Sequence, residues 1–374
     1  MHPKKKVVFL TNWYPSNSSH KGIFIRNHAL VINSISEVLV IDFQFLASRN
    51  FFSIEHNRVK DENDLDVFHV HIHSFAYKLI YYLIFIQKWV LKKVLSLHKI
   101  NLKEYDFVVS NVLFPSGILG NWLKHMYQLK HIHIEHWSGA RRFLSRNILR
   151  KKGVLALKET NQLVVVSELL EKELIAILQF KKIVVIPNVI GSQFKYLDKM
   201  QSSETFRFIA VANWRKPKNP FLFIKALQEI KKEDPNLNFE LTLVGEGPQL
   251  QIIRKMDLNF PINYTGAVQN KSLANLFQSS NIFLHGSDFE TFSIVSIEAL
   301  MCGLPVIASK VGVLPSVINA RNGILCDDTI DSWKEGIRKV LSTPYKNNEI
   351  AAQASANFSQ RHIKDKFYDL FYNE

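Results

Sequence analysis

Two glutamates eight positions apart, Glu290 and Glu298, bracket a turn made of Thr291, Phe292 and Ser293. The apolar run that follows, Ile294, Val295, Ile297, Ala299 and Leu300, has the spacing of a helix rather than of a strand. Glu290 is therefore expected in a loop and Glu298 on the helix. A continuous helix would rise roughly 12 Å over eight residues, which suits two ends of an extended ligand better than a single bond. The N–H groups of Thr291, Phe292 and Ser293 lie where a helix begins, and such a terminus favours phosphate. Hydroxyls at both ends and negative charge between them describe a nucleotide sugar. Two glutamates flanking a helix can also form a solvated face, so the flanking sequence has to decide.

That flanking sequence resembles the signature of the family four, nucleotide-sugar-dependent glycosyltransferases. The family's E-x7-E motif is followed by an alanine-containing helix and then G-x-P-V-I-A-S. Here Glu290 and Glu298 are followed by Gly303, Leu304, Pro305, Val306, Ile307, Ala308 and Ser309. The segment VANWRKPKNPFLFIKAL, from Val211, resembles the family's G-R-L-x-x-x-K-G stretch, so the resemblance implies that Lys218 clamps the donor diphosphate. The family arginine falls on Asn213, a departure, and Arg215 two positions later can supply the missing cation, because a guanidinium grips phosphate with two parallel hydrogen bonds. Without the resemblance, Arg215, Lys216 and Lys218 read as a solvated loop.

Further matches follow in family order. VSELLEKEL at Val166 resembles a strand-end serine and its helix, and IPN at Ile186 to Asn188 a P-N turn. LVGEGP at Leu243 to Pro248 and TGAV at Thr265 to Val268 resemble two later turns. Each alone is common structural punctuation. After the signature helix the family often has G-G-x-P-E, where this chain has Gly312, Val313, Leu314, Pro315 and Ser316. One glycine and one acid are lost, so donor identity does not follow from this rim. Near the N-terminus, TNWYPSNSSHKGIFIRNHA from Thr11 to Ala29 resembles the family's first loop, where glycine lets backbone amides approach the diphosphate and acceptor; Gly22, the one left of the usual glycine pair, is the implied donor contact. Arg26 and His28 follow on the next helix, Arg26 as a candidate acceptor contact. His136 stands just past a strand, where the family places a histidine near the transferred sugar; a neutral imidazole there can hydrogen-bond a hydroxyl or help orient the acceptor. A satisfied structural histidine is the rival reading.

The elements that must position these residues alternate short β-branched runs with helical stretches. In the first half the runs are Val7 to Thr11, Val38 to Phe43, Phe107 to Ser110, His131 to Glu135, Leu163 to Val166 and Ile183 to Ile186. After a polar stretch from Gly191 to Thr205 the rhythm resumes at Phe206 to Ala212, Phe239 to Val244, Ile262 to Thr265, Ile282 to His285 and Pro305 to Ala308. Such alternation predicts an α/β protein of two doubly wound parallel sheets. With the resemblance it implies the GT-B architecture, two Rossmann-like domains facing a central cleft. The expected boundaries are an acceptor domain over 1–190, a donor domain over 191–350, and a helical segment over 351–374 returning to the first domain.

The 374 residues suffice for two cores, and 47% hydrophobic with 21% charged residues describe a soluble globular chain. The two cysteines, Cys302 and Cys326, show neither metal spacing nor a disulfide framework, which fits a reducing cytoplasm. The N-terminal apolar run is too short for a signal peptide. LIYYLIFI, from Leu79 to Ile86, is far shorter than the roughly 20 residues of a membrane span. It continues past Lys88, Lys92 and Lys93, and reads as a core helix with a wet face or as an interfacial helix on anionic lipid.

Charge is unevenly placed. Residues 1–190 hold 26 Lys and Arg against 14 Asp and Glu, a balance of +12, whereas residues 191–374 hold 21 against 19, a balance of +2; together these give the net +14. A basic first half suits an acidic partner. Arg142, Arg146 and Arg150 recur every four residues and would form one basic stripe on a helix, and Arg141 and Arg142 are candidate acceptor contacts. No nucleic-acid motif accompanies the charge, which leaves anionic lipid or a phosphorylated acceptor; the resemblance then implies an anionic or lipid-linked glycan as acceptor, with peripheral contact to an anionic membrane. His69, His71 and His73 alternate along one strand face and invite a metal reading, which lacks a converging carboxylate or cysteine pattern in the local sequence.

The resemblance thus implies a retaining transfer of sugar from a nucleoside-diphosphate donor such as a UDP- or GDP-sugar to an acceptor hydroxyl. Glu290 would bind sugar hydroxyls and Glu298 the ribose, with Lys218 and the amides near Phe292 on the diphosphate and no metal required. Surface polysaccharide or lipopolysaccharide synthesis is the expected setting. The rivals are a nucleotide-sugar epimerase of the same fold and a non-catalytic nucleotide-sugar-binding protein.

Overall fold

The computed structural model describes every residue except 1–2, 16–21, 50, 138, 147, 180–182, 199–204 and 374. The chain divides into two compact units, one formed by residues 1–189 with 360–374 and the other by 190–359.

The N-terminal unit is built on an eight-stranded sheet. Its strands are β1 (Lys6–Thr11), β2 (Glu37–Ala47), β3 (Ser53–Lys60), β4 (Asp66–Ser74), β5 (Phe107–Asn111), β6 (Lys130–Glu135), β7 (Gln162–Val165) and β8 (Ile183–Val185). Their order is β3-β4-β2-β1-β5-β6-β7-β8, parallel throughout except that β3 pairs antiparallel with β4. The central strands are apolar and buried on both faces, as in Val7, Val8, Phe9 and Leu10 of β1, because helices cover both sides of a parallel sheet. The expected strands did not include β3 or, in the C-terminal unit, Gly323–Cys326, and β4 was expected only through its alternating histidines. β3 reads SIEHNRVK, an edge strand with mostly exposed side chains, so it carries little hydrophobic signal.

The C-terminal unit has six strands: β9 (Phe206–Val211), β10 (Phe239–Val244), β11 (Ile262–Gly266), β12 (Ile282–His285), β13 (Val306–Ser309) and β14 (Gly323–Cys326). They are all parallel in the order β11-β10-β9-β12-β13-β14. Trp214, Phe223, Leu227, Trp333 and Ile337 join the buried faces of β9, β10 and β12 in one core. Both cysteines are buried and unbridged, and burial, followed by the neighbouring Asp327 charge, pushes the Cys326 thiol up to about 12. They belong to packing.

Three expectations about helices need correction. The C-terminal segment is two helices, Asn347–Phe358 and Gln360–Tyr372, and the return to the N-terminal unit starts at Gln360 rather than at residue 351. The first of the two stays in the C-terminal unit, where Ile350, Ala351 and Ala354 are buried. The arginine stripe is also divided, since one helix covers Ala140–Arg146 and another begins at Arg150, so Arg150 does not continue the face of Arg142 and Arg146. The apolar run at Leu79 is split between a short turn of helix, Tyr77–Ile80, and the helix Ile84–Leu97. Among the described residues no helix is long and apolar enough to cross a membrane.

Candidate active site

Lys218 and Glu290 are 72 positions apart, and their meeting follows from the sheet order. β9 and β12 are hydrogen-bonded neighbours, so the segments leaving their carboxyl ends run side by side. Lys218 forms a bridge with Ser287, the Asn219 N–H donates to the Gly286 carbonyl at 3.0 Å, and the Asp288 N–H donates to the Pro217 carbonyl at 2.8 Å. Gln249 donates to the Lys218 carbonyl at 2.7 Å and ties this turn to the neighbouring one. The lysine ammonium is thereby aimed at the Glu290 carboxylate, with which it forms a hydrogen-bonded ion pair.

The same carboxylate oxygen accepts from His285 Nε2 at 2.8 Å. Burial alone would raise the Glu290 pKa, but the His285 hydrogen bond and charge, together with the Lys218 ammonium, hold it down to about 2. Burial, reinforced by the Lys218 charge, lowers His285. At neutral pH the cluster is a carboxylate held between an ammonium and a neutral imidazole. His285 was not expected from the sequence as a site residue; its position as the last residue of β12, five before Glu290, was the available signal.

The turn after Glu290 is sharply bent. Ser293 has a left-handed backbone, φ +58° and ψ +63°, which is rare for a residue with a side chain. Its hydroxyl meets the Ser296 hydroxyl at 2.8 Å and His285 Nε2 at 3.3 Å, which supports the bend. The helix Ile294–Met301 starts there with no acid in its first turn. The bend means that Glu290 and Glu298 are not eight residues along one continuous helix, so the simple helical rise does not set their separation. Phe292 is buried edge-on against Phe358, with 6.0 Å between ring centres. Among the described residues no backbone carbonyl accepts from the Phe292 or Ser293 N–H, which leaves those donors for an anion.

Glu298 is buried on that helix and, among the described residues, its carboxyl group pairs with no cation and accepts no hydrogen bond. Desolvation raises its pKa to about 8, so without a ligand it is largely a neutral acid. The two glutamates therefore occupy opposite protonation states at pH 7. Gly312 sits against the first of them. Its φ is +55°, and a Cβ there would lie 1.9 Å from the Glu290 carbonyl oxygen, so only glycine permits this approach. The Val313 N–H then donates to that carbonyl at 3.1 Å. The glycine retained at the altered rim is thus the one that positions Glu290. Ser316 turns its hydroxyl back to the Val313 carbonyl at 2.8 Å.

Arg215 and Asn213 are both exposed, and the Arg215 Nε donates to Asn213 Oδ1 at 2.9 Å. The residue in the family arginine's place therefore orients the nearby guanidinium.

The remaining candidates lie in the N-terminal unit. Gly22, at φ +87°, starts the helix Ile23–Asn33, and a Cβ on it would meet the Trp13 carbonyl oxygen at 2.0 Å. Residues 16–21 of the expected first loop lie outside the described residues. Arg26 is bound by its own unit: its Nε donates to Asp61 at 2.9 Å, and its terminal nitrogen pairs with Glu62 at 3.1 Å and donates to Asn63 at 2.6 Å. His28 is buried, its Nε2 lies 2.9 Å from the Pro187 carbonyl, and burial lowers its pKa to about 4.

His136 is buried with both ring nitrogens occupied, Nδ1 at 3.0 Å from Asn188 and Nε2 at 3.1 Å from Asn111. Burial, with His28 adding to it, takes its pKa well below the ordinary value, so it is neutral. Its backbone is held by Glu135, a fully buried carboxylate that accepts from the N–H groups of Leu113, His136 and Trp137 at 2.9, 3.0 and 2.8 Å. Arg141 and Arg142 are exposed at the start of their helix. Arg142 and Arg146 border a cavity of about 610 Å³ walled by Tyr81, Tyr82, Phe114 and Trp137.

Residues 195–357 match the family described as Glycosyl transferases group 1. Over that stretch the chain is similar to the group 1 glycosyltransferases. The matched stretch contains Lys218, His285, Glu290, Glu298 and Gly312. Among its relatives, a human phosphatidylinositol N-acetylglucosaminyltransferase subunit is 27% identical over 204 residues, which are 53% of this chain and 42% of the human protein. The chain therefore spans less than half the length of that relative. Among solved structures, sucrose-phosphate synthase from Thermosynechococcus elongatus matches with a TM-score of 0.78 at 17% identity over 99% of each chain. Anabaena HepE in complex with UDP matches with a TM-score of 0.72 at 15% identity over 99% of this chain and all of that one. These likenesses establish the two-sheet fold of the GT-B glycosyltransferases.

Proposed function

We propose that the protein is a retaining glycosyltransferase that moves a sugar from a nucleoside-diphosphate donor, such as a UDP- or GDP-sugar, to an acceptor hydroxyl. The observation that carries this reading is the pairing of Lys218 with a Glu290 held ionised, one turn ahead of a helix that buries an unpaired Glu298. Glu290 accepts hydrogen bonds from sugar hydroxyls. Lys218 has three N–H donors, so it can keep Glu290 and also meet a diphosphate oxygen. The free amides at Phe292 and Ser293 add to that charge stabilisation as the diphosphate leaves, without reorganising. Glu298 receives the ribose. Lysine and helix terminus together neutralise the leaving group, which needs no metal. Retention is assigned to attack on the face the diphosphate departs from, with its oxygen taking the acceptor proton. The new glycosidic bond forms as the sugar–phosphate bond breaks, and atoms and charge balance without a redox partner.

In the N-terminal unit, His136 acts as a neutral positioning residue through Asn111 and Asn188. The aromatic cavity beside Arg142 and Arg146, with Arg141 at its helix start, suits a sugar face carrying phosphate. An anionic, lipid-linked glycan at the inner face of a membrane is the acceptor this favours, in the synthesis of a surface polysaccharide or lipopolysaccharide. The acceptor in the name of the human relative, a phosphatidylinositol, agrees with a lipid.

Incubation with radiolabelled UDP- and GDP-sugars and membrane lipid extract tests the reading. Transfer, or slow donor hydrolysis without acceptor, is expected and should persist in EDTA. Glu290→Gln should remove turnover while the fold is retained, and Lys218→Ala should raise donor KM and lower kcat. Wild-type rates in both variants would overturn the assignment, and an epimerised donor would establish the rival enzyme.

A further inference from the structure

The strand pairing in the N-terminal unit brings together residues that are distant in sequence. β2 and β4 run parallel with Asp42 opposite His69 and Gln44 opposite His71, so these side chains share one face. His69 Nδ1 and His71 Nε2 converge on the same Asp42 oxygen, each at 2.9 Å. Asp42 is 1% exposed, and among the described residues no lysine or arginine pairs with it. A buried carboxylate in that position calls for positive charge.

We propose that Asp42, His69 and His71 form a binding site for one divalent cation of the zinc class. Two imidazoles and a carboxylate suit Zn²⁺ and its neighbours, with a fourth position left for water. Metal–ligand bonds of about 2.0–2.2 Å set tetrahedral ligand atoms roughly 3.3 Å apart. The nitrogen–carboxylate separations lie close to that spacing, and the three ligand atoms all fall within 4.8 Å of one another. Both histidines are partly exposed, which gives an ion access. The carboxylate is already braced as metal-binding carboxylates are: Gln44 Nε2 donates to its two oxygens at 2.8 and 3.0 Å and lies 3.3 Å from the Tyr14 carbonyl. Glu55, His71 and His73 make a neighbouring trio, but Glu55 is well exposed and meets only His73, at 3.1 Å. The buried trio is the stronger site. It spans two strands of the N-terminal unit, whereas the residues proposed to hold the sugar nucleotide lie in the C-terminal unit.

The test uses the full, tag-free chain, stripped with chelator and titrated with Co²⁺. One equivalent should bind with the intense visible absorption of a four-coordinate site, and Zn²⁺ should displace it. His69→Ala and His71→Ala should each abolish that absorption, Gln44→Ala should weaken binding about tenfold, and His73→Ala should leave it. Both histidines are partly solvated, so circular dichroism of the metal-free variants checks that they remain folded; Asp42→Asn, of equal size, gives a second route to the same loss. Absence of a first bound equivalent overturns the proposal. So does binding that survives both His69→Ala and His71→Ala, or that depends on His73 instead of His69.

Discussion

Glu290 and Glu298 are the same residue type eight positions apart, and their surroundings leave one ionised and the other neutral at pH 7. Glu298 has a folded pKa near 8 against an ordinary value of 4.5, so the folded state holds an extra proton between those limits and stability must fall as pH rises through them. Glu290, near 2, contributes stability that is present above pH 4.5 and lost as pH falls toward 2. Thermal unfolding of Glu298→Gln is expected to lose the decline between pH 4.5 and 8, and at pH 8 the variant should melt above the wild type. An unchanged pH profile would contradict the buried neutral acid. Gly312→Ala should force the Glu290 backbone aside, lowering donor affinity and kcat/KM by at least tenfold. Its cost in global stability should be at least about 1–2 kcal/mol, the share of the left-handed backbone alone. Calorimetric titration with donor and a melting curve separate the two effects. Most of these residues were legible in the sequence through motif spacing. His285 was not, because its role arises from the approach of a strand end to a bent turn. Asp42 was not either, because which residue opposes His69 depends on a register between β2 and β4 that no local pattern encodes.

At the scale of elements, strands with buried apolar runs were readable and those without were not. Val7 to Thr11 and Phe239 to Val244 stand out by composition, whereas the polar edge strand Ser53–Lys60 and the four-residue Gly323–Cys326 do not. The helix Ile84–Leu97 has one buried apolar face and one exposed aromatic face. It buries Val90, Leu91, Val94 and Leu95, yet Phe85 is 68% and Trp89 54% exposed, and Lys93 lies 5.0 Å from the Trp89 ring centre. With Leu79 and Tyr82 also exposed nearby, that outer face has the composition of a helix resting on an anionic bilayer. Cosedimentation with vesicles rich in anionic lipid is expected and should weaken as salt rises. The double substitution of Phe85 and Trp89 by serine should weaken it about tenfold or more, since each ring carries roughly 1.5 kcal/mol or more of transferable apolar surface. Equal binding by variant and wild type would exclude this face.

At the scale of the whole molecule, the N-terminal unit is assembled from both ends of the described chain. Phe367 is fully buried 5.3 Å from the His28 ring, and Phe371 packs edge-on at 5.0 Å from Phe107. The Tyr372 hydroxyl donates to the Ile35 carbonyl at 2.8 Å and accepts from the Lys5 N–H at 3.1 Å. A chain stopped at Ser359 should therefore lose the melting transition of the N-terminal unit and keep that of the C-terminal unit. Removing two buried phenylalanines costs about 3–5 kcal/mol each, against a total of about 5–15 kcal/mol for a domain. Scanning calorimetry with limited proteolysis would show which unit is lost.

The helix Gln360–Tyr372 also bears on how the protein is made. The first 189 residues leave the ribosome early, but the piece that closes their core is synthesised only after the 170 residues from Ile190 to Ser359. At about 5–20 residues per second, that interval lasts on the order of 10–30 s. During it the surface around His28 and Phe107 stands uncovered, so the nascent N-terminal half is the part most in need of a chaperone, and the half made second is the first to be finished.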